Sequence, residues 1–555
     1  MESNTQRSPL TSWRDCFVLK RIRMLTPVGL KAETKMLFKL SGPVISSRLL
    51  TYTLGFVSAI FCGHLGRVEL AGVSLATSVI NVFGISIGYG LASACDTLIS
   101  QSYGGRNLLG IGVIMQRASL ILLLSCFPCW AILINTESLL LAVKQEPEVV
   151  RVTQLYVKVF MSALPASFMY SVLRCYLQNQ NIIWPPVVTG LIVNILNVVI
   201  QYIFLYVLDL GVAGSAAANA ISQYCMAALL YAYIIWNGLH KPTWGGWSKE
   251  CLQDWSAYFH LAIPSMFMMC VEWWSYEIGT ILAGLISETE LGTQSIVFQV
   301  ATVLYQLPLG FCVAGTVRIG QALGAGDTKH AKLCAKLTIL YAGFIALCLI
   351  ILLGSLKDRI SYIFSNDEQI RQRVDDCLTV FVPFMFVEPI FAAVGGILKG
   401  AGKQKIGAII NILGFYGIGF PIGVPLMFAA KLGIIGLWIG ILISVLMQTI
   451  FLSAYLVRMN WKETTIEAQI RAGVCVSSTE TSPKPCDPGD SQYSAGTDTM
   501  ELVDREAGPA GIPGEEELSL RNLLLRRGLV LAIMLFILAA GIVINLLLNH
   551  LFNSL

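Results

Sequence analysis

The feature that most constrains this 555-residue chain is a series of long apolar runs separated by short polar breaks. They lie at Leu37–Cys62, Leu70–Leu98, Ala118–Ile134, Val152–Leu173, Trp184–Leu208, Gly211–Trp236, Phe259–Ile286, Leu291–Val317, Leu337–Leu353, Cys377–Leu398, Ile406–Ala430, Gly433–Val457 and Leu529–Leu548. A helix needs roughly 20 apolar residues to cross a bilayer. Inside lipid the backbone must satisfy its own polar groups, which leaves helices as the way to do so here. Only 13% of residues are charged, against roughly 25% in soluble domains. The chain is therefore expected to be an all-α polytopic membrane protein of twelve spans plus one. That excludes an ordinary soluble enzyme, a nucleic-acid-binding protein and a disordered scaffold.

Charge placement predicts orientation. Lys and Arg concentrate in the N-terminal segment (Arg14, Lys20, Arg21, Arg23, Lys31, Lys35) and in alternate breaks (Arg106, Lys241, Lys249, Lys329, Lys332, Lys399, Lys403, Lys405). By the positive-inside rule the N-terminus is cytoplasmic. Thirteen spans then put the C-terminus outside. MESNTQRSPLTSWRDCFVLKRIRM holds no signal-peptide core, so the first span is expected to act as its own insertion signal. The domains predicted on this basis are a cytoplasmic segment 1–36, a first lobe 37–236 and a cytoplasmic inter-lobe loop 237–254. A second lobe follows at 255–458, then a flexible cytoplasmic linker at 459–527, and the thirteenth span with a short extracellular tail at 528–555.

The two halves repeat. Pro43 (LSGPVISSRLL) matches Pro264 (LAIPSMFMMCV), and Glu69 matches Glu290. Gly90, Gln101 and Gly104 match Gly310, Gln321 and Gly324; Gly211 and Gly214 match Gly433 and Gly436. The unit is six spans, an even number, so both copies enter the bilayer in the same sense. Two six-helix bundles related by a pseudo-two-fold along the membrane normal are expected.

Ionisable groups in mid-span are costly in lipid and mark functional candidates. Three carboxylates qualify, all in the second half: Glu272 and Glu277 in CVEWWSYEIG, and Glu388 in FVEPIFAAVGG. Glu272 and Tyr276 share a helix face, as do Trp273 and Glu277, whereas Glu272 and Glu277 are about 140° apart. Each acid either faces a cavity or bonds another helix. Burial raises a carboxyl group's pKa, and a nearby cation favours the ionised form. Proton and organic cation can thus compete for one carboxylate. Trp273, Trp274, Tyr276 and Tyr305 offer ring faces for delocalised cations. The first half holds Arg48, Asn81, Lys158, Asn194 and Asn197 instead. Arg48 either snorkels to the interface or lines the cavity.

Other chemistries find little support. The five histidines form no HExxH pair, and there is no GxxxxGK[ST] phosphate loop. The fifteen cysteines show no zinc-type pairing. No catalytic residue, metal or cofactor is expected, nor any nucleic-acid partner.

FCGHLGRVELAGVSLA, SACDTLISQSYGG, IPSMFMMCVEWWSYEIGT, LGAGDTKHAK and GGILKGAGKQKIGA together resemble the vertebrate multidrug and toxin extrusion (MATE) family, over about Leu37 to Trp461. The resemblance implies two six-helix lobes facing each other in a V around a central cavity. It also implies proton-coupled export of organic cations across the plasma membrane of excretory epithelia, on the apical side. It maps family acids onto Glu272, Glu277 and Glu388, and pocket residues onto Trp273, Tyr276, Tyr305 and Asn81. Two departures concern the pocket: Gln299 stands where close relatives carry glutamate, and Arg48 where they carry glutamine. Both make the cavity less negative, so both join the candidate substrate-binding residues. The expected function is proton/organic-cation antiport, with small organic cations, protons and the bilayer as partners. An exporter of organic anions, zwitterions or lipids on the same scaffold is the alternative, and a channel or receptor a further one.

Overall fold

A computed structural model describes residues 30–364, 368–474 and 520–554. Thirteen long helices follow one another: α1 (Leu30–Gly63), α2 (Val68–Gly104), α3 (Leu108–Ile134), α4 (Pro147–Asn179), α5 (Trp184–Val207), α6 (Gly211–Trp236), α7 (Trp255–Gly284), α8 (Glu288–Gly324), α9 (Thr328–Phe364), α10 (Glu368–Ala401), α11 (Gln404–Phe428), α12 (Ile434–Arg458) and α13 (Leu520–Ser554). All but α7 carry a stretch long and apolar enough to cross a membrane. The exception carries Glu272, Trp273, Trp274, Tyr276 and Glu277 within six residues.

Outward faces are apolar and inward faces carry much of the polarity, the pattern that lipid rather than water imposes. Leu340, Phe344 and Ile351 on α9 are each more than 60% exposed. Inside the first lobe, Asn197 Nδ2 donates to Asn219 Oδ1 (3.1 Å) and to Ser222 Oγ (2.8 Å), while Asn219 Nδ2 donates to the Tyr156 hydroxyl (2.7 Å). Asn194 donates to the Leu50 and Gly190 carbonyls. These mid-span asparagines knit helices together.

Two large apolar clusters form, one running from Leu54 to Ala262 and the other from Val271 to Ala468. The core therefore changes hands within α7. Trp255, Tyr258, Leu261 and Ala262 pack with the first cluster, and Val271 and Ala283 with the second. A second difference concerns the stretch 459–527, expected to be a linker. Its start is the helix Trp461–Arg471, capped by Asn460, whose side chain accepts from Glu463 N at 3.4 Å. This helix is tied to both lobes: Asn107 Nδ2 donates to Ala472 O (3.0 Å), and Lys403 pairs with Glu467 (2.8 Å). The rest of the expected linker, from 475 to 519, lies outside the described residues. α13 itself begins at Leu520 rather than near 528.

The lobes meet along a seam that obeys the repeat. α1 packs on α8, and α7 on α2. α7 and α2 run antiparallel in fixed register: Met266 lies against Gly90, Cys270 Sγ contacts Ser86 Oγ (3.5 Å), and Trp274 Nε1 donates to Val82 O (3.0 Å). The matched residue Ile45 lies against Gly310. At the Lys- and Arg-rich end, the ends of α2 and α8 touch backbone to backbone. A Cβ at Gly104 would overlap the Gln321 carbonyl oxygen, and a Cβ at Gly324 would overlap that of Gln101. The side chains reciprocate: Gln101 Nε2 donates to Gly400 O (3.0 Å), and Gln321 Nε2 to Asn179 O (2.8 Å). Asn179 and Gly400 are 221 positions apart, the same spacing as Pro43 and Pro264. The contacts are exchanged as a two-fold axis requires.

α13 lies on α3. Asn135 Nδ2 donates to Gly541 O (2.9 Å), Asn545 Nδ2 donates to Ile134 O (3.0 Å), and Gly541 sits against Ala131. Arg527 stacks over Trp255 at 4.1 Å.

Candidate functional site

α7 presents two working faces. Met268, Glu272 and Gly279 turn into the second lobe: Met268 reaches Gly407, and Gly279 reaches Leu437. Met266, Cys270, Trp274 and Glu277 follow the other face along α2. The wide angle between Glu272 and Glu277 thus separates their surroundings. Glu277 is in hydrogen-bonding reach of Ser78 on α2. Glu272 Oε1 accepts from the Tyr305 hydroxyl on α8 at 3.5 Å.

Glu388 stands in the middle of α10, directly before Pro389. It is 3% exposed, and its Oε2 has no hydrogen-bond partner. Glu272 is the charged group that bears on it electrostatically. Glu272, by contrast, is half-buried and feels Lys399, near the end of α10. The second lobe therefore holds two carboxyl groups within electrostatic range, with the Tyr305 phenol on Glu272 and the Lys399 ammonium also within electrostatic range of it. Tyr276 walls it on one side, with ring centres 5.9 Å from Phe298 and 6.1 Å from Trp438. Trp438 is fixed by its Nε1, which donates to Gln294 at 3.0 Å. Two acids so placed can hold a proton, or share the charge of an organic cation, but ionising both unaided would leave uncompensated charge in a buried site.

The other candidates lie elsewhere. Trp273 is half-buried on α7. Asn81 begins a π-helical turn, Asn81–Ile85, in α2; such turns often mark functional positions. Gln299 is exposed on α8, and its Oε1 accepts from the Tyr52 hydroxyl of α1 at 2.6 Å. Arg48 joins neither acid. Its electrostatic neighbours are Arg174, Tyr89, Asp96 and Cys175, in the first lobe. The structure thus brings together Glu272, Tyr305 and Glu388, with Tyr276 beside them. Glu277, Gln299 and Arg48 are each engaged by different partners.

Sequence reasoning did not single out Lys399, Tyr52, Trp438 or Arg174 as site residues. Arg174, one residue beyond an expected span, carried the same signal as Arg48, a charge beside an apolar run.

Glu33, His330 and Cys334 place three ligand-type atoms within 4.8 Å of one another. Arg318 already holds both Glu33 oxygens at 2.7 Å each. Its guanidinium stands where a metal cation would, so the cluster reads as an ion-paired lock between α1, α8 and α9.

Thirteen long helices, twelve of them with a stretch long and apolar enough to cross a membrane, make this a multi-pass membrane protein, and the comparisons say of which kind. The MatE family model matches residues 43–203 and 264–424, two segments of equal length that reproduce the internal repeat. "Multidrug and toxin extrusion protein 1" of Danio rerio is 53% identical over 544 residues, covering 95% of this chain and 92% of its own. "Multidrug and toxin extrusion protein 2" of Mus musculus is 48% identical, covering 96% and 95%. The Homo sapiens protein 1 is 43% identical, covering 94% and 95%. The crystal structure of the eukaryotic MATE transporter AtDTX14 superposes with a TM-score of 0.78 at 26% identity, over 80% of this chain and all of that one. The chain belongs to the multidrug and toxin extrusion family, and it is an efflux transporter with the two-lobe fold.

Proposed function

We propose that this transporter exports small organic cations in exchange for protons, and that Glu272 and Glu388 are where the two compete. One observation carries the reading: Glu388 lies buried inside the second lobe within electrostatic range of Glu272, and one of its oxygens has no partner. A buried acid without a fixed counter-ion must find a mobile one. A proton satisfies it in one half of the cycle and a cation in the other. Tyr305 holds Glu272 in place, and Tyr276 and Trp273 offer ring faces to a delocalised charge. Asn81 and Gln299 would contribute polar contacts from the two sides of the seam, while Glu277 and Arg48 would act at the lobe interface and on the charge balance.

The basic end of the seam is the cytoplasmic one on this reading, which makes the Gln101/Gln321 contact the cytoplasmic gate and places the C-terminus outside. The described state is then closed to the cytoplasm. Residues 37–236 and 255–458 rock against each other about the two-fold seam, with α7 as the shared element. The plasma membrane, on the apical side of an excretory epithelium, is the site of action.

The test is uptake of radiolabelled tetraethylammonium into vesicles holding the full-length protein, under an imposed proton gradient. Accumulation should follow the gradient and vanish in Glu272→Gln and in Glu388→Gln. Transport indifferent to the gradient, or surviving loss of both acids, would refute the reading.

A further inference from the structure

The first lobe holds an arginine pair that the acid site does not use. Arg48 on α1 and Arg174 on α4 line one cavity and are electrostatic neighbours, and Asp96 is the carboxylate that bears on both. Asp96 is itself engaged, accepting from Asn179 Nδ2 at 3.0 Å. Two guanidinium charges thus face one carboxylate in an interior where an unmatched charge is expensive.

Both arginines line a small cavity between α1 and the connection from α4 to α5. It has about 10 Å³ of space for the centre of a water-sized sphere, the scale of one water molecule or one small ion. Ser47 and Gln178 complete its polar lining, and the rest is aliphatic or proline. The polar atoms are biased toward donors. Ser47 is 6% exposed, and its hydroxyl has no hydrogen-bond partner. The Nε of Arg48 is buried and also unpartnered. Apart from the Ser47 hydroxyl itself, the side-chain acceptor of the lining is Gln178 Oε1, which already accepts from Arg174 Nη1 at 3.2 Å. A water molecule would bring two protons to a place already rich in donors. A small anion would accept from Ser47 and Arg48 together and cancel the excess positive charge.

We propose that this cavity is a binding site for a small monovalent anion of the halide class, held by Ser47, Arg48 and Arg174. The site lies in the lobe opposite the acid pair and does not depend on the antiport reading. A bound halide would leave this cluster of Arg48, Arg174 and Asp96 close to neutral, so that an organic cation moving past it meets a weaker repulsive field.

The experiment measures radiolabelled chloride bound to purified full-length protein by scintillation proximity, with gluconate balancing ionic strength. Saturable binding is expected, displaced by bromide and not by gluconate. Affinity should fall about tenfold or more in Arg48→Gln, which removes a charge-assisted contact, and by a smaller factor in Ser47→Ala, which removes a neutral one. Thermal unfolding in gluconate checks that both variants are folded; the serine variant keeps the test decisive if the arginine variant is not. Absence of saturable binding would overturn the proposal and leave a water-filled cavity. Binding with unchanged affinity in both variants would overturn it equally, by placing the ion elsewhere.

Discussion

The two lobes share one backbone plan and have opposite interiors. Where the second lobe carries Glu388 in mid-helix, the matched position 221 residues earlier is Ser167. Where the second lobe gathers Glu272, Glu388 and Tyr305, the first gathers Arg48, Arg174 and a single aspartate. At the seam the lobes are alike: Gly104 and Gly324, Gln101 and Gln321, and Asn179 and Gly400 exchange the same contacts. The repeat is kept where the lobes touch and lost in their interiors, the pattern expected if, as proposed, the lobes move against each other at the seam and ligands are handled inside.

The comparison can be broken at its interior first. Glu388→Gln should abolish gradient-driven cation uptake, whereas Ser167→Ala, at the matched position, should change the rate by less than about twofold, as expected for a hydroxyl that has no partner to lose. Equal losses would deny the asymmetry. The seam comes next. Gly104→Val and Gly324→Val each push a side chain into a carbonyl of the opposite lobe, so both should slow transport by roughly tenfold through failure to close that end. Cysteine-accessibility labelling at the basic end should rise in both. A strong effect in only one of them would break the two-fold account. The smallest effect belongs to α13. Gly541→Leu should loosen its seat on Ala131 and strain the Asn135–Gly541 hydrogen bond, lowering the melting temperature by a few degrees, since an interhelical hydrogen bond in a membrane is worth about 0.6 kcal/mol. Uptake should persist, because α13 touches neither acid.

Much of this plan could be read from residue order. Apolar runs marked thirteen spans, and matched Pro, Gly, Gln and Glu marked the repeat. Carboxylates in mid-span stood out because lipid makes them rare. What could not be read was direction. Helical spacing separates Glu272 from Glu277 by an angle, yet only packing shows that one looks into the second lobe and the other along α2. The partners of Gln299 and Glu388 lie more than a hundred residues away in sequence, and no local pattern names them. The helix Trp461–Arg471 is different. Asn460 followed by Glu463 is a capping signal, but it was submerged in a long polar stretch whose composition suggested a linker. The change of core within α7 was also hidden, because an apolar face looks the same whichever lobe it joins.

The central claim is that the acids Glu272 and Glu388 hold a proton or a cation by turns. Its most direct test is proton release on binding. Tetraethylammonium is added to purified full-length protein in weakly buffered solution near neutral pH, and released protons are counted with an indicator dye. The account predicts release that saturates with cation occupancy and is lost when Glu272 and Glu388 are both replaced by glutamine. Cation binding at full affinity with no proton released would contradict it.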